Sequence, residues 1–429
     1  MRLINTRNPK ERASFAEAIL GGAIKGGGRY VPEPIPCFRD IPQLLAMDFQ
    51  TRTLEILTRF LGEEFSREEL EGVVSSVYDF PLELVQLRDG MFALELFHGP
   101  TGSSKDFGAR FLARMLGLVS RQSDFHLRTV LLATAGDTGG AIAHALHGLR
   151  GFRTVILYPK DGVTPIQEAQ MLAPGGNVLA YGVEGSFDHC EAMVKASLEN
   201  EELSKKLAFT VAGSANIARI MGMLPLWFEA VAQLRARDCR DEPVISIPTG
   251  GCGTIASAML ARKTGLGIKA LVVATNTNRV VGNYLDTGQF QPFPAVSTLS
   301  SAMDVGNPGD LERLRHFLGD NLTEARAQLR WDSLSDADTR RSMWEMHAAG
   351  YLPEPHAAVA HGVLRERLGL KETGVFLATA HPAKFREVLE RDMNLTVDVP
   401  ARFSEALSKP VHRKVLAADL KALRAVLDS

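Results

Sequence analysis

Cysteine is scarce: Cys37, Cys190, Cys239 and Cys252 are the only four in 429 residues. They are dispersed and form no CxxC pair, so no disulfide framework is written into the chain and a reducing cytoplasm is the expected setting. An excess of one charge is also lacking. The formal net charge of -2 gives nucleic acid or an anionic membrane no electrostatic hold. No apolar run is long enough to span a bilayer, and residues 1–10 carry charge without the apolar core of a secretory signal. The eleven histidines show no HExxH or similar ligand spacing. His144 and His147 lie three apart on an expected helix with no third ligand near in sequence, so no metal is expected. Internal repeats, low-complexity tracts, a Walker lysine and a GxGxxG fingerprint are all missing, so neither a nucleotide P-loop nor a dinucleotide fold fits.

What is present is the composition of an ordinary globular protein, 45% hydrophobic and 23% charged, in a chain long enough for two or three domains. Residues 1–90 read as mixed helices with few strands. In 66–77, Glu68 and Glu69 precede an apolar stripe, as suits a helix start. From residue 92 strands and helices alternate. Apolar strands are expected at 92–97, 129–133, 153–158, 178–183, 209–212, 244–249 and 270–274. Helical spacing marks 107–119, 140–149, 165–172, 190–198, 217–234 and 255–262. Such alternation implies parallel sheet covered on both faces, with ligand-binding loops after the strand C-termini. Residues 288–308 read as a long ordered loop, and the stretch after Pro410 as a charged helix. The expected division is a mainly helical region at 1–91, a smaller α/β domain at 92–236 and a larger one at 237–429.

Two local patterns carry chemistry. Lys105 sits where the 92–97 strand turns into the 107–119 helix, among Gly99, Gly102, Ser103, Ser104 and Gly108. Desolvation and the positive potential of a helix start both lower an amine's pKa, which makes Lys105 a candidate Schiff-base amine; a solvated first-turn lysine is the alternative. Thr249, Gly250, Gly251, Cys252, Gly253 and Thr254 join a strand to a helix. Glycines there let backbone N–H groups close around an anion, though an ordinary tight turn has the same composition. A phosphate cradle plus an imine-forming lysine is what pyridoxal phosphate requires.

With these two patterns the chain resembles the threonine synthase family, pyridoxal-phosphate enzymes of the tryptophan-synthase-β fold type. The resemblance runs from Gly26-Gly27-Gly28-Arg29-Tyr30 through His98-Gly99-Pro100-Thr101, Lys105-Asp106-Phe107-Gly108 and Gly136-Asp137-Thr138-Gly139. It continues at Ser300-Ser301-Ala302-Met303-Asp304-Val305, Glu354-Pro355-His356-Ala357 and Thr379-Ala380-His381-Pro382-Ala383-Lys384. It implies a two-domain α/β fold with parallel sheets and an added N-terminal region. It also implies pyridoxal phosphate on Lys105, with its phosphate on Gly250, Gly251, Cys252, Gly253 and Thr254. Asp137 would lie near the cofactor's phenolic oxygen, with an N-cap role as the alternative, and Thr379 would face its ring nitrogen. Thr134, Gly136 and Thr138 would receive the substrate carboxylate. Ser214, Asn216 and Arg219 would bind a substrate phosphate, with a surface cation as the alternative for Arg219. His98 would stand behind the lysine or close its own turn by a backbone bond.

The implied reaction converts O-phospho-L-homoserine and water to L-threonine and phosphate. The implied partner is a small phosphorylated amino acid, and the implied assembly a monomer or homodimer. Departures from the family pattern fall in the site: Ser104 replaces a usual phenylalanine, Ala135 a serine and Gly213 an asparagine. Gly250-Gly251-Cys252-Gly253 stands for Gly-Asn-Phe-Gly, and Asn278-Arg279 for Asn-Asp. Each lost hydrogen bond to a charged group removes about 1.5–3 kcal/mol. Weaker turnover of phosphohomoserine is therefore expected. The alternatives are elimination or replacement on another activated amino acid, or a non-catalytic cofactor-binding relative.

Overall fold

Ser66 accepts from the Glu69 amide and Glu69 bonds back to the Ser66 amide, so helix Arg67–Val77 starts where its acidic first turn indicates. The same reciprocal cap opens helix Pro165–Leu172, through Thr164 and Gln167, and helix Phe187–Glu199, through Ser186 and His189. The computed structural model describes residues 1–21, 24, 26–121, 127–319, 321–409 and 413–428. They form two compact units, neither continuous in sequence.

The first unit comprises Met1, Val31–Ser104 and Met223–Asp398. Its six-stranded sheet has the order Leu329–Ser333, Ala270–Thr275, Val244–Pro248, Gly374–Ala378, Met91–Glu95, Glu83–Arg88. Every pairing is parallel except the last, an antiparallel hairpin edge. All residues of Ala270–Thr275 and Gly374–Ala378 are buried, as strands covered on both faces must be. Each buried valine, leucine or isoleucine there contributes about 1.5–3 kcal/mol. Four neighbouring parallel strands end in loops on one side of this sheet: 96–104, 249–252, 276–279 and 379–381.

The second unit comprises Arg2–Tyr30, Lys105–Gly222 and Val399–Ser429. Its sheet is parallel throughout, in the order Lys414–Ala417, Val178–Glu184, Phe152–Pro159, Arg128–Ala133, Thr210–Val211. Helix Lys105–Arg121 packs on helices Asp137–Leu146 and Ile217–Met221.

Three expectations are corrected. The compact units do not follow the consecutive division 1–91, 92–236 and 237–429, because Met91–Glu95 pairs with Gly374–Ala378 and so ties early and late chain into one sheet. The expected 217–234 helix is two helices, Ile217–Met221 and Leu224–Arg235. Gly222 caps the first, and Pro225, lacking an N–H, is accommodated only in the first turn of the second. By length and composition Ile217–Arg235 could cross a membrane, yet 94% of its apolar window is buried inside the protein, as in a core helix. After residue 412 the chain first forms strand Lys414–Ala417 and only then helix Leu420–Asp428. Three of the strand's four residues are exposed, so it shows no apolar run.

Candidate active site

Lys105 is the first residue of its helix, and the loop before it is strapped down within the first unit. Ser104 N–H donates to Thr379 O (2.8 Å), His381 N–H to Gly102 O (2.9 Å) and Lys384 Nζ to Thr101 O (2.9 Å). Lys384 is fully buried, and local pattern gave no sign of this role. Ser104 is buried and its hydroxyl makes no hydrogen bond among the described residues.

Within the second unit the Lys105 amine is held below its ordinary pKa. Burial is the main cause; Arg219 adds to it and Asp137 opposes it. Both groups are thus in electrostatic reach of the Lys105 amine. Asp137 is buried as the first residue of helix Asp137–Leu146, whose cap position is Gly136. The N-cap alternative for Asp137 is therefore not the one adopted. Its Oδ1 accepts from Gln167 Nε2 (2.9 Å). Gly136 has φ +134°, and a Cβ there would lie 2.6 Å from the Gln167 side chain. Sequence reasoning missed Gln167, whose capping position was readable and whose bond to Asp137 was not. Thr138 is partly exposed, and its hydroxyl makes no hydrogen bond among the described residues.

Two proposed substrate ligands have other work. Thr134 Oγ1 accepts from the Gly136 and Gly139 amides (3.1 and 2.9 Å), so it shapes the turn. Asn216 caps helix Ile217–Met221 through its oxygen, and its amide donates to Ile19 O and Val211 O, both at 2.9 Å. With every donor committed, Asn216 positions the stretch. Ser214 is exposed, and Arg219 is buried with Nη1 on Ala212 O (2.9 Å), so the surface-cation alternative for Arg219 is not met. A Cβ at Gly213 would meet only Leu132 Cδ1, at 3.9 Å.

In the first unit, Val244–Pro248 runs into Thr249, Gly250, Gly251 and Cys252, then helix Gly253–Lys263. Cys252 has φ 68° and its side chain makes no cap, so the helix's first N–H groups have no capping side chain among the described residues. Nothing lies within 4 Å of a Cβ placed on Gly251. Thr254 and Thr379 are partly exposed, and their hydroxyls make no hydrogen bond among the described residues. An uncapped helix start with open space at Gly251 and a free hydroxyl at Thr254 fits a phosphate. Lys105, with its lowered pKa, fits an aldehyde.

The Cys252 thiol is buried, and burial, aided by Asp310, pushes its pKa far up. Burial also raises Cys190, to about 12. Cys37 is exposed. Iodoacetamide at pH 8 is therefore expected to label Cys37 in the native protein and to spare Cys190 and Cys252 until the chain is denatured. Peptide mass mapping reads the result.

His98 Nε2 lies 2.8 Å from Glu95 Oε2. With Glu83, these two form the one group of three possible metal ligands among the described residues, a cluster that sequence spacing did not indicate. Asn278 is buried in a polar network, and Arg279 pairs with Asp286 (2.7 Å).

A lysine at a strand-to-helix turn and an uncapped glycine turn, each on parallel α/β sheet, define a pyridoxal-phosphate enzyme of the tryptophan-synthase-β fold type. The family model described as pyridoxal-phosphate dependent enzyme matches residues 83–379. Models of the threonine synthase N terminus and C-terminal region match residues 2–78 and 357–427. Threonine synthase of Escherichia coli K12 is 39% identical over 429 residues, which cover 100% of this chain and 99% of that protein. The crystal structure of threonine synthase from Escherichia coli aligns with a TM-score of 0.94 at 38% identity, covering 100% of this chain and 99% of that one. That of pyridoxal-phosphate-bound threonine synthase from Brucella melitensis aligns at 0.91 and 30% identity, covering 100% and 98%. The chain belongs to the threonine synthase family, and its cofactor is pyridoxal phosphate.

Proposed function

We propose that the protein converts O-phospho-L-homoserine and water to L-threonine and inorganic phosphate. Pyridoxal phosphate supplies an aldehyde for the substrate amine and a conjugated ring that accepts the electron pair left at Cα. Lys105 Nζ holds the aldehyde carbon. The backbone N–H groups of Gly250, Gly251, Cys252 and Gly253, with the Thr254 hydroxyl, hold the phosphate. Thr379 would offer a neutral hydroxyl to the ring nitrogen, and Asp137, oriented by Gln167, would serve the phenolic oxygen. The Thr138 hydroxyl and the Gly136 turn receive the substrate carboxylate.

Lys105, once freed by exchange with substrate, takes the proton from Cα. It then takes a proton from Cβ as phosphate departs from Cγ; protons return to Cγ and Cα, and water adds its hydroxyl at Cβ. Its lowered pKa keeps a fraction of the amine neutral for this work. Arg219 holds the phosphate in the bound substrate and as charge grows on the leaving oxygen. The dispersed free thiols suit a reducing cytoplasm.

The observation that carries this reading is the buried Arg219 guanidinium in electrostatic reach of the Lys105 amine. A cation there suits a phosphate leaving group. Arg219→Ala is expected to raise KM and lower kcat, for a combined loss of about 10²–10³ in kcat/KM. Arg219→Lys is expected to recover part of it, because a point charge replaces a bidentate fork. The same alanine variant removes a charge that lowers the Lys105 pKa. The acid limb of cofactor attachment to the apoprotein is then expected to move to higher pH. Unchanged turnover across phosphohomoserine, phosphoserine, phosphothreonine and serine would remove Arg219 from the site.

A further inference from the structure

Two motifs of the sequence have no role in the reaction above: Ser300-Ser301-Ala302-Met303-Asp304-Val305 and Glu354-Pro355-His356-Ala357. Both lie in the first unit, as does the 249–254 turn. Glu354 is buried at the cap of helix Pro355–Arg367. Its Oε1 accepts from the Ala357 amide (2.7 Å). Its Oε2 accepts from the His356 amide (2.8 Å) and faces His356 Nδ1 (2.7 Å). On the other side of the ring, His356 Nε2 accepts from the Ala302 amide (3.1 Å). A backbone N–H can only donate, and Glu354 takes the ring's other bond. The tautomer that satisfies both carries its proton on Nδ1 and a lone pair on Nε2.

The far side of this contact is the cradle. A Cβ on Gly250 would lie 3.0 Å from both Ala302 O and Met303 Cα, and 3.2 Å from Val305 Cγ2. The 302–305 segment therefore rests directly on the first glycine of the turn. The segment is tied again beyond Ala302. Asp304 accepts from Asn276 (2.8 Å), Asn278 (3.1 Å) and Thr298 Oγ1 (2.7 Å). Asp310 N–H then donates to Gly251 O (3.1 Å). In a trans peptide the C=O of one residue and the N–H of the next point in opposite directions. With Gly251 O turned to Asp310, the Cys252 N–H is turned away from it, free for an anion.

We propose that His356, fixed by Glu354, is a positioning residue for the cofactor phosphate: through Ala302 it presses the 302–305 segment onto Gly250 and sets the aim of the turn's N–H groups. The proposal rests on the assignment of this turn as the phosphate cradle.

The test compares binding of pyridoxal phosphate and of pyridoxal, which lacks the phosphate, to the full-length apoprotein. Three variants are used. His356→Ala removes both bonds of the ring. His356→Asn keeps a donor for Glu354 but falls short of Ala302, and carries the test if the alanine variant does not fold. His356→Gln has an NH2 for Glu354 and an oxygen for Ala302. The alanine and asparagine variants are expected to raise the Kd for pyridoxal phosphate about tenfold, the scale of one buried hydrogen bond. The Kd for pyridoxal is expected to stay within about twofold. Glutamine is expected to restore most of the loss. The phosphorus resonance of the bound cofactor is expected to shift in the asparagine variant and to return in the glutamine variant. Equal losses for both ligands, or no loss for either, would overturn the proposal. If the unaltered protein does not prefer pyridoxal phosphate over pyridoxal, the cradle assignment fails first and the proposal with it.

Discussion

Lys105→Ala is expected to lower threonine formation by at least about 10³-fold, the range of a lost proton-transfer group. Two functions disappear together: the covalent hold on the cofactor aldehyde, and the amine that moves protons at Cα and Cβ. Lys384 is fully buried and donates to Thr101 O, so its amine is committed to the loop. Borohydride should fix cofactor mass to the Lys105 peptide of the unaltered protein and to no peptide of the variant. The glycine turn is untouched, so the variant should still retain cofactor on dialysis, more weakly. Substantial turnover in the variant would mean that another base does the work assigned to Lys105.

Gly251→Asp is expected to weaken binding of pyridoxal phosphate by about 10²-fold. The position suits a clean test, because an added Cβ meets nothing within 4 Å. Steric cost is then small, and the new carboxylate acts by charge. At about 5 Å and an effective dielectric near 20, one unit charge repels another by about 3 kcal/mol, and the cofactor phosphate carries more than one. Gly251→Asn has nearly the same shape without the charge, so its loss should stay within about tenfold. Equilibrium dialysis of the apoproteins separates the two. Equal losses for aspartate and asparagine would mean that no anion sits against this turn.

The sheet interiors were legible because parallel strands buried on both faces read as apolar runs: 129–133, 153–158 and 270–274 correspond to Arg128–Ala133, Phe152–Pro159 and Ala270–Thr275. The edges were not. Glu83–Arg88 is half solvated and Lys414–Ala417 is largely exposed, so neither shows an apolar run. In the candidate site the same division holds. Lys105 and the 249–254 turn were readable because a strand, a glycine turn and a helix start are local. The partners that hold them are distant: Gln167 reaches Asp137 across 30 residues, and His356 reaches Ala302 across 54. Polar side chains at helix starts were ambiguous. Asn216 reads as a ligand for phosphate; in the fold its amide donates to Ile19 O and Val211 O and its oxygen caps helix Ile217–Met221. Resemblance to a family carried the site residues as a set; the geometry adds that Thr134 and Asn216 hold their own turns.

The departures at Ser104, Ala135 and Gly213 make the substrate the point where the account is most exposed. The direct measurement is incubation of the reconstituted holoprotein with O-phospho-L-homoserine, following L-threonine and inorganic phosphate together. The account predicts both products in equal amounts, at a rate that rises with cofactor occupancy and disappears in Lys105→Ala. Phosphohomoserine left unconsumed by a fully loaded protein that turns over phosphoserine, phosphothreonine or serine would contradict it.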